Sequence, residues 1–461
     1  VNYSQDFLSR VLKQALSRGG DYCDVFIEDR DDTALTFDSG KIKSITTGKT
    51  AGVGIRVIYG KSFVYLYSSD PSEKTILELA EATAQSVKWD HTGNLGDFRG
   101  SSGRGLVIPK VSPGSVDLAR KVEYVQRANQ AARDHSSKIQ EVMVRYMDHD
   151  QRVSIATSDG NFVNDRRVRT RFVVQTIAGR GDEKETGFYG PGRSMGFEFF
   201  DEFSPEAVAE ESARIALVRL DSDYAPQGKL PVVIDNEFGG VIFHEACGHA
   251  LEATAVGNDA SVFCGKFGKQ IASPVVSAVD DGTIPSSWGS ADFDDEGNPT
   301  QKNQLIKDGV LTSYMIDKLG SIKMGMDSTA SSRRESYKFA PTSRMTNTFI
   351  EPGEDSFEDM ISSIEHGLYC KKLGGGSVNP PTTDFNFAVQ EGYLIKNGKI
   401  DKPVKGASLI GKGNEILMNI EMIADNLDIN GTGMCGSLSG SIPANVGQPA
   451  IKVGGLVVGG R

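Results

Sequence analysis

Two turn dipeptides constrain the fold of this chain more than any other feature. Asp308-Gly309 and Asn397-Gly398 each stand between strand-like runs. Both residues of such a pair tolerate a positive φ, so each spells a two-residue hairpin. After Tyr224-Ala225-Pro226 a strand is expected at 229–234 with a helix at once behind it; beyond that helix the turns make the chain nearly all β, with one helical stretch expected at 356–367. A β-barrel or pair of packed sheets closing around a site is the natural architecture.

The preceding half reads differently. Residues 4–18 place Phe7, Leu8, Val11, Leu12 and Ala15 at helical spacing. Strands are expected at Val25-Phe26-Ile27, Ala34-Leu35-Thr36-Phe37, 53–57 and 62–67, with Asp38-Ser39-Gly40 as a hairpin turn. Helices are expected at 73–88, 115–137 and 205–220, and strands at 141–147, 151–157, 161–164 and 167–178. Residues 89–113, rich in Gly, Asp and Ser, read as a linker. Ser158-Asp159-Gly160 echoes the earlier turn and hints at two related hairpin units. The fold class is therefore α+β: an N-terminal α/β domain over 1–220, divisible into 1–90 and 114–220, with an antiparallel sheet and long helices. A β-rich, barrel-like domain over 226–461 follows. A chain of 461 residues is long enough for such a division.

Charge narrows the function. The net charge of −11 argues against nucleic acid as a direct ligand and against anionic membranes. Arg166, Arg167, Arg169 and Arg171 form a basic cluster, which reads as a solvated sheet face. The five cysteines are odd in number and widely spaced, so no disulfide framework is implied and a reducing, cytosolic setting fits. The N-terminus reads as an amphipathic helix rather than a signal peptide, and no apolar run reaches membrane-spanning length.

The chemistry concentrates in Phe243-His244-Glu245-Ala246-Cys247-Gly248-His249-Ala250-Leu251-Glu252. Zinc peptidase helices ordinarily carry His-Glu-x-x-His, whose histidines share one helical face. Here they stand one residue further apart, roughly 140° around a regular helix. A π-bulge or kink between them, eased by Gly248, would restore a shared metal. A catalytic zinc needs a third protein ligand and an open position. Cys435, in Asn430-Gly431-Thr432-Gly433-Met434-Cys435-Gly436, is the candidate, whereas Cys247 is expected to pack. Glu245 is the candidate general base, with zinc (Zn2+) the implied cofactor.

The chain resembles the TldD/PmbA family, also called modulator of DNA gyrase proteins, and its TldD branch in particular. The likeness rests on the histidine motif, Phe293-Asp294-Asp295-Glu296-Gly297-Asn298-Pro299, Arg333-Arg334-Glu335-Ser336-Tyr337, Arg344-Met345-Thr346-Asn347, Lys402-Pro403-Val404-Lys405-Gly406 and Gly433-Met434-Cys435-Gly436. It implies zinc on His244, His249 and Cys435, catalysis by Glu245, and action on unfolded or extended peptides. It also implies a dimer, either a homodimer or a heterodimer with a metal-free PmbA/TldE-like paralogue.

Three further readings complete the set. Gly374-Gly375-Gly376-Ser377-Val378 is a candidate backbone edge for a substrate strand. Arg333, Arg334 and Tyr337 are candidate oxyanion donors. A non-catalytic peptide-binding subunit with a structural zinc, or an amidase for non-peptide amides, competes with the peptidase. A fourth protein ligand would favour the structural zinc.

Overall fold

The computed structural model describes residues 3–379 and 382–460. The N-terminal half is built twice from one element order: helix, long hairpin, short third strand, helix. The first copy runs Gln5–Ala15, Tyr22–Asp38, Lys41–Tyr59, Ser62–Ser68 and Glu73–Gln85. The second runs Leu118–His135, Ile139–Thr157, Asn161–Arg180, Glu183–Tyr189 and, after a short helix at Phe199–Glu202, Pro205–Leu220. Tyr22–Asp38 pairs antiparallel with Ile139–Thr157, so the copies share one sheet, with their hairpins extending outwards from that seam.

The turns explain the hairpins. Ser39 and Gly40 both adopt positive φ (52° and 76°), as a tight hairpin whose twist matches its strands requires. Ser4, Ser72 and Ser204 cap their helices by accepting from the N–H groups of Phe7, Thr75 and Ala207. Each copy buries its own apolar cluster, one around Val11, Val25 and Ile55, the other around Val144, Phe172 and Ala213.

In the C-terminal half, Gly228–Ile234, Ile451–Gly459, Ser408–Lys412, Asp384–Lys396 and His366–Asn379 close into a five-stranded barrel, because the last strand pairs with both the first and the fourth. A six-stranded sheet beside it includes Ala278–Asp281, Asn347–Ile350, Asp428–Ser437 and Gly440–Gln448. Both expected hairpin turns form, with positive φ at Asp308, Gly309, Asn397 and Gly398.

The structure departs from the sequence reading in several places. Tyr22–Asp38 is one strand through the polar run Asp29–Thr33, because both neighbours pair along it without interruption. The C-terminal half has short helices at Lys318–Met324 and Gly413–Met418, too brief to show a helical period. The arginine cluster is no solvated face: Arg167 and Arg169 are buried. They lie under the C-terminal half, where Arg167 meets Asp295 at 2.6 Å and Arg169 donates to the Trp288 carbonyl.

Candidate metal centre

The strand Gly228–Ile234 delivers the chain to a 3-10 turn, Glu237–Gly240, and a six-residue helix, Val241–Ala246. Gly240 is required there: a Cβ would sit 2.3 Å from the Gly447 carbonyl oxygen. The helix stops at Cys247 (φ −128°, ψ −49°), and Gly248–Leu251 continues as a 3-10 turn. The expected kink is therefore present, as a helix break and not a π-bulge. The break turns His249 back towards His244, leaving the ring centroids 5.1 Å apart and nearly perpendicular.

Cys435 arrives from the opposite side. It lies on the strand Asp428–Ser437, paired with Ile442 across a hairpin, rather than in a loop. Its Sγ stands 3.3 Å from His244 Nε2 and 3.1 Å from His249 Nε2. The three donor atoms lie within 4.8 Å of one another, and among the described residues no fourth His, Cys, Asp or Glu joins the group. Cys247 is fully buried, its thiol pushed up by burial.

The donors fit a divalent metal of borderline softness. Burial pushes the Cys435 thiol up, but the imidazoles of His244 and His249 outweigh it and hold it down to about 4. Thiolate is the form in which a cysteine binds a metal. His244 Nδ1 is buried without a hydrogen-bond partner among the described residues. Burial opposes protonation of His249, but Glu252 outweighs it and raises the imidazole well above its usual range. His249 Nδ1 meets Glu252 Oε1 at 3.2 Å, leaving Nε2 to face the thiol. Glu245 Oε2 lies 3.7 Å from His249 Nε2, half-buried, on the wall of a cleft of about 420 Å³.

The cleft is lined by Phe188–Pro191, the turn at Glu237, the strand at Leu373–Gly375 and the Asn430–Cys435 segment. Gly374 and Gly375 fall in a bulge between the pairs Leu373–Val389 and Gly376–Phe387. A Cβ on Gly375 would meet nothing within 4 Å, so this backbone is open to the cleft.

The other expectation fails. Arg333 and Arg334 are buried elsewhere, Arg333 donating to the Met345 and Pro443 carbonyls and Arg334 to Asp24. Tyr337 packs in a small cluster with Phe26 and Phe293. None of the three lines the cleft.

Sequence reasoning missed Glu252 and Arg344. Glu252 was legible as a carboxylate three residues beyond a histidine. Arg344 stood in a stretch that carries the family likeness, but nothing local placed it at the site, where its buried guanidinium donates to the carbonyl of Cys435 and lies 3.8 Å from Glu252.

Two histidine nitrogens and a cysteine sulfur converge on one point beside a glutamate, a group of donors that could hold a metal ion. Comparison with known proteins supplies the family. Residues 227–460, 111–220 and 23–87 match the PmbA/TldA metallopeptidase C-terminal domain, central domain and domain 1 respectively. The chain belongs to the PmbA/TldD metallopeptidase family.

It is 35% identical to the metalloprotease TldD homolog of Haemophilus influenzae over 100% of this chain and 97% of that protein. It is 26% identical to the zinc metalloprotease TldD homolog of Saccharolobus solfataricus over 98% and 99%. The crystal structure of TldE from Thermococcus kodakarensis shares its fold, with a TM-score of 0.80 at 18% identity, covering 98% of this chain and 100% of that one. No described helix is long and apolar enough to cross a membrane.

Proposed function

We propose that this chain is a zinc-dependent peptidase for unfolded or extended peptides, with His244, His249 and Cys435 as ligands and Glu245 as general base. One observation carries the reading: the three donors converge with no fourth protein donor among the described residues, and a carboxylate stands beside them in an open cleft. A structural zinc would call for four protein ligands and no neighbouring acid.

When bound, the metal supplies Lewis acidity to the scissile carbonyl and acidity to water. The remaining work falls to the chain. The backbone at Gly374 and Gly375 aligns an extended substrate along the cleft wall. Glu245 accepts a proton from the attacking water at its carboxylate and passes it to the leaving amine. Glu252 fixes the tautomer of His249 so that Nε2 stays a ligand.

The working unit is proposed to be a dimer, with itself or with a metal-free PmbA/TldE-like paralogue, in the cytosol. The five cysteines are free, as a thiolate ligand in a reducing compartment requires. The domain division at about 220–226 is proposed on the same footing as in the sequence.

The test is cleavage of an unstructured peptide by wild type and by Glu245→Gln, with bound metal quantified in both and the native mass measured. The expected result is about one zinc per chain in each, with cleavage lowered at least about 100-fold in the variant. Equal cleavage by the two would refute the role of Glu245. Zinc in both with no cleavage, alone or with the paralogue added, would leave a binding subunit.

A further inference from the structure

A second chamber of about 320 Å³ lies between the N-terminal sheet and the C-terminal half. It meets the metal cleft at Arg171 and Met434, the latter directly before Cys435. Three guanidinium groups line it, Arg169, Arg171 and Arg333, and none of them forms an ion pair within 4 Å among the described residues, although Asp295 acts on Arg169 and Arg333 from further away. Arg169 donates to the carbonyls of Trp288 and Ser290, Arg171 to those of Gly190 and Thr432, and Arg333 to those of Met345 and Pro443.

The carboxylates of the same wall are already engaged. Asp148 holds Lys121, Asp295 holds Arg167 and Asp32 holds Arg30. Asp294 accepts from the N–H groups of Glu296 and Asn298, and Glu335 from that of Ser441. The wall also has polar atoms to spare: Ser332 Oγ and Arg334 Nε are buried with no hydrogen-bond partner among the described residues.

A buried cation without an anion is costly. Burial, joined by the neighbouring arginines Arg333 and Arg167, brings Arg169 down to about 9 against the pull of Asp165 and Asp295; burial brings Arg171 down to about 10, and Arg333 to about 10 against Asp295 and Asp280. A carboxylate entering the chamber would relieve this, because the planar guanidinium forms its strongest pairs with such oxyanions.

We propose that the chamber is a carboxylate-binding subsite, in which Arg171, backed by Arg169 and Arg333, takes an acidic group of the bound peptide. The group is either the peptide's C-terminal carboxylate or an Asp or Glu side chain. The proposal rests on the peptidase reading and narrows its substrates to peptides that place an acid beyond the metal cleft.

Trp288 reports on the chamber directly: it lines the wall, with the Arg171 guanidinium 5.9 Å from its ring. It is one of two tryptophans, so Trp89→Phe leaves it as the only tryptophan emitter. The zinc-loaded full chain would be titrated with three probes. These are an unstructured peptide free of Asp and Glu with a free C-terminus, the same peptide amidated, and the amidated peptide with one internal Glu.

The expected result is a saturable change in emission, with a carboxylate-bearing probe binding about tenfold tighter than the amidated peptide. This advantage should vanish in Arg171→Gln and return in part in Arg171→Lys. Whichever of the two acidic probes keeps the advantage identifies the source of the carboxylate. Equal binding of all three probes, no saturable change, or an advantage that survives Arg171→Gln would overturn the subsite. Cleavage is read separately: a chain that cleaves but ignores the carboxylate refutes the subsite alone. One that binds the carboxylate but cleaves nothing, alone or with the paralogue added, refutes the peptidase reading alone.

Discussion

His244 and His249 provide two donors, but their usefulness depends on residues that never touch the metal position. Glu252 is buried, accepts from His249 and lies 3.8 Å from the Arg344 guanidinium. Arg344, fully buried, also donates to the carbonyls of Cys435 and Gly440. One arginine therefore ties the orienting acid of the histidine side to the backbone of the cysteine side. Glu252→Gln keeps the size of the side chain but loses its charge. It is expected to weaken zinc binding about 10- to 100-fold. Competition against a chelator of known affinity would measure this, and an unchanged affinity would remove Glu252 from the site.

At the level of elements, the centre depends on a helix that ends early. Had Val241–Ala246 run on regularly, His249 would point away from His244; the break at Cys247 prevents this. The short helix Gly413–Met418 packs behind that break. A Cβ on Gly413 would lie 1.9 Å from the Ala246 carbonyl oxygen, so backbone must move. Gly413→Ala is expected to cost about 1–3 kcal/mol of stability and to loosen metal binding, because the displaced carbonyl sits between Glu245 and Cys247. Gly436→Ala, where a Cβ meets nothing within 4 Å, is the control and should leave stability unchanged. Denaturant unfolding of both variants, with metal content, checks the pair.

Across the whole molecule, a buried ionic network joins the two halves. Asp24 holds Arg56 at 2.6 Å and Arg334 at 3.1 Å, and Arg56 also meets Glu296 at 2.6 Å. Burial first, then Asp317 and Asp294, pushes Glu296 up to about 8 against the opposing pull of Arg56. Burial likewise raises Asp294 to about 6. Acids raised above their unfolded values bind more protons when folded. Their contribution to stability is complete below about pH 4 and is lost as pH rises through about 6 for Asp294 and about 8 for Glu296. Urea unfolding at pH 5, 6.5 and 8.5 should therefore show a decline across the upper interval that is shallower in Glu296→Gln than in wild type. Identical slopes would mean that Glu296 is charged throughout.

What was legible in the sequence was local or chemically rare. The Asp-Gly and Asn-Gly turns specify hairpins because few residues tolerate positive φ. His244, His249 and Cys435 stood out because few other side chains bind a divalent metal of borderline softness, and Glu245 because it directly follows the first of them. What the tertiary structure alone decided was proximity. The break at Cys247 aims two rings at one thiol, and nothing in the pattern distinguished it from a bulge. The arginines of Asn161–Arg180 alternate as an exposed strand face would, yet the C-terminal half packs over them and turns Arg167, Arg169 and Arg171 into chamber wall. Residues more than a hundred positions apart meet there, and no local period records that meeting.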